Sequence, residues 1–296
     1  MPSLEVATPA ADRRPAGQAR PLRIITADRG WFDWRLGQLW RSRELIGLFV
    51  WRDFVSLYVQ TLLGPAWHLV RPLTTTVLFV LVFSRVAGLP TDGVPPFLFY
   101  LAGNVAWTFF AGAFDGVSRM LIAQAPLLGK VSFHRLVIPV AILCSNLVGL
   151  AVQAVMLAVV LAGFAVAGRA PAPTTAIVLL PLLVCLLALC SLGGGLIICA
   201  LTTKYRDLAF TVTFLTQCLM FVTPVILPAS AVPPAYAWML RLNPLSPIFE
   251  CLRLGLFGRG VVTAWQLAGS AVAIGVLLTA GITLFMRAER TFVDTL

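Results

Sequence analysis

The sequence predicts an all-α integral membrane protein with six transmembrane helices, an N-terminal amphipathic interface helix and two short re-entrant helices between spans five and six. Of its 296 residues, 59% are hydrophobic and only 11% are charged, and the mean hydropathy is +0.91. Six segments are apolar over about 20 residues, the length that a helix needs to cross a bilayer. A further apolar segment, residues 221–253, is interrupted by prolines and cannot form a straight span.

The N-terminal part divides into a tail and a helix that precedes the first span. Residues 1–30 are rich in Ala, Pro and Arg and lack the apolar core of a cleavable signal, which predicts a disordered cytoplasmic tail. Residues 31–60 place aromatic side chains among arginines at helical spacings, which is typical of a helix in the cytoplasmic membrane interface. A soluble amphipathic helix packed on a partner is the alternative. We expect residues 31–296 to form one transmembrane domain.

The six spans follow from hydropathy and from the polar loops between them. Span three is long enough to tilt or to project from the bilayer. Span two contains Gly112 and Gly116, a spacing that allows close helix approach, and span four contains three consecutive glycines that permit a kink or a tight contact. The predicted spans are 69–88, 97–117, 137–167, 176–201, 208–227 and 262–286.

The net charge of +10 invites a nucleic-acid-binding interpretation, but the distribution of the basic residues has another explanation. With the N-terminus inside, 17 of the 22 lysines and arginines fall on the cytoplasmic side. Such positive-inside asymmetry is a general property of membrane proteins. It predicts that both termini face the cytoplasm, in agreement with an even number of spans, and we expect no nucleic-acid partner.

The apolar segment before the last span contains more prolines than a membrane helix tolerates. Because proline removes a backbone donor and clashes with the preceding turn, the pieces between the breaks can be only short helices. Freed backbone groups are tolerated at membrane depth only inside protein or beside a watery cavity. We therefore predict two short re-entrant helices that form a gate or line a pathway. The prolines stand at positions 224, 228, 233, 234, 244 and 247.

The sequence contains no recognisable catalytic or metal-binding motif. The Gly129-Lys130 pair cannot belong to a phosphate-binding loop, because Gln124 and Val131 stand where the loop needs Gly and Ser or Thr. The two histidines and six cysteines have no spacing typical of a metal site or a disulfide framework. We predict no catalytic site, metal or cofactor in this chain, and expect any energy to come from a separate subunit.

Acidic residues near membrane depth are limited to Asp115 and Glu250. Proton-coupled carriers generally use acids or histidines within the membrane. Asp115 lies close to the cytoplasmic end of span two, where solvation accounts for it. Glu250 and Arg253 are three residues apart, so that they can form an ion pair on a helix. We favour this pairing over a proton relay.

The loop between spans two and three has the sequence APLLGKVSFHRLVIP, which combines apolar and basic residues between two prolines. Anchoring by the positive-inside rule explains much of its charge. It does not explain Phe133, an apolar side chain in a loop that should face solvent. Such a side chain indicates a docking surface.

From about Leu39 to the C-terminus, the chain resembles the membrane subunit of ABC-2 type exporters, most closely those that export lipid-linked polysaccharides such as O-antigen and teichoic acid. The order and spacing of the motifs over most of the chain make the resemblance specific. One departure is His134, where the family commonly has proline. The motifs are Arg52-Asp53, Tyr58-x-Gln60-Thr61-x-Leu63-Gly64-x-Ala66-Trp67, Pro72-Leu73, Lys130-Val131-x-Phe133-x-Arg135, Tyr205-Arg206-Asp207-Leu208, Thr223-Pro224-Val225-Ile226, Leu242-Asn243-Pro244-Leu245 and Glu250-x-x-Arg253.

The resemblance implies a homodimer that works with two copies of a cytoplasmic ATPase, on which ATP and Mg²⁺ are bound. It also implies that the loop between spans two and three and the interface helix contact the ATPase, and that the proline-broken segment forms the outer gate. The residues assigned to coupling are Arg52, Asp53, Lys130, Phe133, His134 and Arg135. The residues assigned to the gate are Pro224, Pro228, Asn243, Pro244, Glu250 and Arg253.

By the same resemblance, spans one and five of both protomers line the export path. Sugar rings present C–H faces that stack on aromatic side chains, so that aromatic residues on and beside these spans suit a polysaccharide. Core packing or contact with lipid is the alternative for each ring. The residues assigned to the path are Phe79, Phe83, Trp107, Phe109, Phe110, Phe214 and Phe221.

We therefore expect a multi-pass subunit of the bacterial inner membrane that exports an undecaprenyl-linked polysaccharide with energy from a partner ATPase. Its expected partners are the ATPase, a second copy of itself, the lipid-linked polysaccharide and membrane lipids. The first alternative is an ABC-2 exporter of a small lipid or drug. An ATP-independent carrier or channel is a further alternative, against which the lack of buried acids and the docking-type loops argue. A non-transporting membrane scaffold is another, and it would have no aqueous route.

Overall fold

The computed structural model describes residues 36–58, 64–124, 134–169, 171–205 and 207–293. These ranges lie in the compact unit that extends from Trp34 to Leu296. Every regular element within them is helical, as the sequence predicts, and these ranges contain no β-strand. The predicted tail of residues 1–30 lies outside them.

Ten α-helices make up most of the described chain. A π-helical stretch, Val80–Val86, continues the third helix, and 3₁₀ turns occupy Gly64–Ala66, Thr175–Leu179, Ala229–Ala231 and Pro234–Tyr236. The α-helices are α1 (Leu36–Arg41), α2 (Arg43–Tyr58), α3 (Trp67–Phe79), α4 (Pro96–Ala123), α5 (Val137–Val166), α6 (Leu180–Lys204), α7 (Leu208–Val222), α8 (Ala237–Leu242), α9 (Ser246–Phe257) and α10 (Ala264–Val293).

Five helical segments of the described chain are long and apolar enough to cross a membrane. They coincide with the predicted spans one, two, three, four and six, so that the chain has the character of a multi-pass membrane protein. The segments are Trp67–Val86, Pro96–Ala123, Val137–Val166, Thr175–Thr202 and Ala264–Ala288.

The predicted fifth span, 208–227, is shorter in the structure. α7 ends at Val222, and Thr223 has an extended backbone with φ −91° and ψ 141°. Pro224 explains this early end, because proline disfavours helical geometry in the residue before it. The 15 residues of α7 rise about 22 Å, less than the roughly 30 Å of a bilayer core. The count of six spans therefore stays a prediction.

The predicted interface helix contains α1 and α2 in its described part. α2 packs against α5, and the oxygen Oδ2 of Asp53 accepts a hydrogen bond of 3.2 Å from Ser145 of α5. Its other face is exposed together with the end of α1: Trp40, Leu48 and Trp51 are at least 65% exposed. Exposed tryptophans among arginines suit the predicted position in the membrane interface.

α4 is the central helix of the described part. It contacts α3, α5, α6, α7 and α9, and most of its side chains are buried. Phe99, Tyr100 and Phe110 are among the largest fully buried side chains. The remaining spans therefore contact one another largely through α4, while α10 packs mainly against α6.

Glycines bring α4 close to α5, as the spacing of Gly112 and Gly116 predicts. A Cβ atom added to Gly116 would lie 2.8 Å from Cγ2 of Ile142, and one added to Gly112 would lie 2.5 Å from Oδ1 of Asn146. Both distances are shorter than real Cβ contacts. In a bilayer, where the hydrophobic effect does not hold helices together, such close packing is a main source of attraction.

The three glycines of α6 serve tight contact, since α6 continues through them. A Cβ atom on Gly193 would lie 2.7 Å from the backbone nitrogen of Leu278, and one on Gly195 would lie 2.9 Å from Cβ of Val117. α6 thus meets α10 on one side and α4 on the other, at backbone contact. On α10, a Cβ atom on Gly281 would run into the carbonyl oxygen of Gly193.

We expect Gly281→Leu to destabilise the protein by about 1–3 kcal/mol, because the added side chain forces α6 and α10 apart. Gly275→Leu on the same helix is the matched control, since a Cβ atom there meets nothing within 4 Å. Thermal unfolding of the detergent-purified variants measures the difference. Equal midpoints for the two variants would contradict the proposed contact.

Candidate functional site

The proline-rich segment between α7 and α10 folds into α8, α9 and two 3₁₀ turns. Pro228 precedes the turn Ala229–Ala231, and Pro247 lies in the first turn of α9, where its missing N–H costs nothing. Pro224 and Pro228 are both buried. The prolines therefore divide the segment into the short helices that the sequence predicts.

Glu250 and Arg253 form a buried ion pair, which confirms the predicted pairing. Nη1 of Arg253 lies 3.0 Å from Oε1 of Glu250, and both side chains are at most 4% exposed. The carboxylate also accepts hydrogen bonds from two backbone groups, the N–H of Ala229 to Oε1 at 3.1 Å and the N–H of Val261 to Oε2 at 3.0 Å. Glu250 of α9 therefore binds the chain both before and after this helix in the sequence.

Arg253 connects the same cluster to α4 and to the end of α7. Its Nη2 donates a 3.0 Å hydrogen bond to the carbonyl oxygen of Val225. Its guanidinium carbon lies 4.0 Å from the ring centroid of Phe99, a cation–π contact. A buried charge is tolerated when it is paired and hydrogen-bonded, and removal of one partner leaves the other at a large cost.

A second set of hydrogen bonds fixes the junction between α8 and α9. Nδ2 of Asn243 donates to Oγ1 of Thr223 at 2.8 Å, and the N–H of Leu245 donates to Oδ1 of Asn243 at 3.0 Å. Ser270 of α10 donates to the carbonyl oxygen of Pro244. The junction is therefore tied to the end of α7 and to α10. The sequence interpretation quoted Thr223 only as part of a motif and did not single out Ser270, although both are polar residues beside or facing a proline break.

α9 runs antiparallel to the first turns of α4. Arg253 lies over Phe99, whereas the ring of Phe249, one turn earlier in α9, lies 6.4 Å from the ring of Trp107. Phe99 and Trp107 are separated by about 12 Å along α4. α9 therefore extends along this part of α4 in the opposite direction.

A cleft of about 430 Å³ opens between α8, α9 and the start of α10. Asn243, Pro244 and Glu250 of the predicted gate contribute to its wall, together with Trp265 and Arg241. The indole of Trp265 is 73% exposed. An exposed indole beside polar side chains can contact both the C–H face and the hydroxyl groups of a sugar.

Of the aromatic residues assigned to the path, Phe214 and Phe221 are 66% and 70% exposed. They are seven residues apart on α7, so that they lie on one face of the helix. Phe79, the last residue of α3, and Phe83, in the π-helical stretch that continues it, are half-buried. Their rings lie 6.1 Å and 6.3 Å from that of Tyr100.

The other three residues assigned to the path lie in the interior of the chain. Trp107, Phe109 and Phe110 are at most 6% exposed. The rings of Trp107 and Phe110 are 5.3 Å apart, and Phe110 stacks on Phe114 at 5.7 Å. This burial favours core packing for these rings.

The residues assigned to ATPase coupling fall in two places. Arg52 and Asp53 pair with each other on α2 at 2.8 Å, and Arg52 lies over the ring of Phe49 at 5.0 Å. His134 and Arg135 directly precede α5, and their carbonyl oxygens accept the backbone hydrogen bonds that begin this helix. Lys130 and Phe133 lie outside the described residues.

We expect Glu250→Gln and Arg253→Met each to destabilise the protein by about 3–5 kcal/mol, because each leaves a buried partner unpaired. The double variant should lose less than the sum of the two. Arg241→Gln, at an exposed position of α8, is the matched control. Thermal unfolding measures all four variants, and additive single effects would contradict the coupling of this pair.

Comparison with known proteins identifies the family. Residues 44–257, well over half of the chain, match the family described as ABC-2 type transporter. The chain is 26% identical over 262 residues to the O-antigen export system permease protein RfbA of Myxococcus xanthus, covering 88% of this chain and 98% of the relative. A protein of the same name from Klebsiella pneumoniae is 24% identical over 254 residues, covering 86% and 95%. The resemblance seen in the motifs is thus confirmed, and the chain belongs to the ABC-2 type transporter family.

Proposed function

We propose that this chain is the membrane subunit of an ATP-driven exporter that moves an undecaprenyl-linked polysaccharide across the bacterial inner membrane. The observation that carries the proposal is the full-length similarity to proteins named O-antigen export system permeases. This similarity extends through the gate segment, where an exporter of a long polar chain needs a controlled exit. In the proposal, each protomer of a homodimer has six spans, of which α7 is the fifth.

In this proposal, a partner ATPase supplies the energy, with ATP and Mg²⁺ bound on two copies of that partner. The positive-inside asymmetry supports a cytoplasmic position for α2, the loop before α5 and both termini. α2 packs on α5, and Asp53 is hydrogen-bonded to Ser145. Movement of α2 by a docked ATPase would therefore reach a transmembrane helix through direct contact.

The proline-broken segment acts as the outer gate in the proposed mechanism. Its contacts with α4 extend about 12 Å along that helix, which supports a re-entrant position. The Glu250–Arg253 pair and the Asn243 junction tie the segment to the ends of α7 and α10. A shift of α7 would pull on the gate through Thr223 and Val225, which accept hydrogen bonds from it.

The exposed rings of α7 line the path in the proposed homodimer. α7 presents Phe214 and Phe221 on one face, and the first span presents Val77 and Leu81, which are 53% and 55% exposed. Apolar and aromatic surfaces let sugar rings slide past without binding any one sugar strongly. In the dimer, these faces of the two protomers would enclose the polymer.

Coupled export is tested in inverted membrane vesicles that contain the chain and its ATPase. We expect ATP-dependent uptake of lipid-linked polysaccharide, and we expect Phe133→Ala with Arg135→Ala to reduce both uptake and co-purification of the ATPase. Loss of an interface anchor costs about 2 kcal/mol or more. Arg259→Ala, at an exposed position in the turn before α10, is the matched control. Undiminished complex and uptake in the double variant would refute the coupling role, and uptake of polymer without ATP would refute an ATP-driven exporter.

The path is tested by replacing the ring and keeping the apolar character. We expect Phe214→Leu and Phe221→Leu to lower the rate of polymer export by about two- to tenfold, the effect of losing one aromatic contact. Tyrosine at the same positions should keep the rate, because it keeps the ring. If leucine and tyrosine variants export equally well, the rings do not contact the polymer.

A further inference from the structure

A second cleft lies between α3, α4 and α5 and has a volume of about 560 Å³. This volume is within the range of about 300–1,000 Å³ for small-molecule sites. Unlike the apolar surroundings expected of transmembrane helices, its wall is rich in polar side chains. They are His68, Arg71, Thr108, Ser145, Asn146 and Gln153.

Two glycines make room for these polar side chains. A Cβ atom on Gly149 would lie 3.3 Å from Cε1 of His68, and one on Gly112 would lie 2.5 Å from Oδ1 of Asn146. Alanine at either position would crowd the polar group. Nδ2 of Asn146 donates a 2.8 Å hydrogen bond to the carbonyl oxygen of Ile142, which holds the amide in place. The polar wall is therefore fixed by packing.

The cleft carries a positive charge that has no acidic partner among the described residues. Arg71 is exposed, and no acidic residue in the described part of the chain forms an ion pair with it. Asp53 accepts a hydrogen bond from Ser145 of the wall, but it is itself paired with Arg52 at 2.8 Å. An unpaired guanidinium at the rim favours an anion, and its planar donors match phosphate oxygens.

Gln153 supplies the second feature of a binding site. Gln153 is only 5% exposed. Within the described residues, its Oε1 accepts no hydrogen bond. A buried polar atom without a partner is destabilising by about 1–3 kcal/mol. A ligand with a hydroxyl group next to its anionic group would satisfy this oxygen while the anion contacts Arg71.

The rim of the cleft is suited to a ligand that stays attached to lipid. Trp67, which lines the cleft, is 45% exposed, and tryptophan is enriched at the boundary between lipid and water. Further along the same span, Val77, Leu78 and Leu81 expose an apolar surface. A hydrocarbon chain could lie along this surface while its headgroup occupies the polar cleft.

We propose that the cleft between α3, α4 and α5 binds the sugar–phosphate headgroup of a glycolipid, with the phosphate at Arg71 and a hydroxyl of the first sugar at Gln153. This inference rests on the proposed function and deepens it, because it assigns a place where the lipid-linked substrate is held before export. It is separate from the gate and from the exposed rings of α7.

Binding to the full chain in phosphatidylcholine nanodiscs tests the proposal. The probes are polyprenyl-pyrophosphoryl-N-acetylglucosamine, polyprenyl pyrophosphate, phosphatidylglycerol and soluble N-acetylglucosamine 1-phosphate. We expect the sugar-bearing lipid to bind most tightly. Arg71→Gln should weaken both pyrophosphate lipids by about tenfold or more, whereas Gln153→Leu should weaken only the lipid that carries the sugar.

Two substitutions of the same kind outside the cleft are the controls. Arg85→Gln on the π-helical end of the first span and Gln217→Leu on α7 should leave binding unchanged, because both residues are exposed and neither lines the cleft. Arg71→Lys keeps the charge and should retain part of the affinity. Thermal unfolding shows whether each variant is folded, and the lysine variant decides the result if Arg71→Gln is unstable.

Four outcomes would overturn the proposal. They are equal affinity for phosphatidylglycerol, equal affinity for the soluble sugar phosphate, unchanged binding in Arg71→Gln, or equal loss for both pyrophosphate lipids in Gln153→Leu. Because the assay contains no ATPase, it is independent of export. If the headgroup binds but ATP-driven export is absent, the proposed function is refuted and the cleft assignment stands. If export occurs but the headgroup does not bind at the cleft, only the cleft assignment is refuted.

Discussion

Close helix packing through small residues is the constraint on which this structure depends. Hydrocarbon surrounds the spans, so that burial of apolar side chains gives little net attraction between helices. α4 and α5 approach each other at Gly112 and Gly116, and α6 meets α10 at Gly193. With α4 at the centre, these contacts fix the positions of the neighbouring helices. Both candidate sites are assembled on this frame, since each draws its residues from several helices.

α4 brings the two sites into one continuous arrangement. Its first turns carry Phe99 and Trp107, which contact the proline-broken segment, and the next turn carries Thr108 and Gly112, which line the second cleft. The two sites are thus adjacent along a single rigid element. A displacement of α4 relative to its neighbours would act on both, which gives a physical route between the two candidate sites.

Hydropathy and local chemistry predict part of this structure. They do not predict features that depend on which helix faces pack together. Long apolar runs predict five of the helices well, and the spacing of Glu250 and Arg253 is enough to predict their ion pair. α7 ends at Val222 because of Pro224. The apolar run continues past this proline, so that a prediction from hydropathy alone makes the helix too long. The burial of Trp107 and Phe110 depends on the central position of α4. Likewise, the burial of Gln153 beside a cleft depends on the packing of three helices, which the sequence does not predict.

The burial of the Glu250–Arg253 pair has a consequence for its response to dissolved salt. Mobile ions weaken attraction between exposed charges over a Debye length of about 8–10 Å, but they hardly reach a pair enclosed by protein. With at most 4% of either side chain exposed, changes in ionic strength leave this attraction nearly constant. The arrangement of the chain around this pair is therefore equally stable in dilute and in saline surroundings.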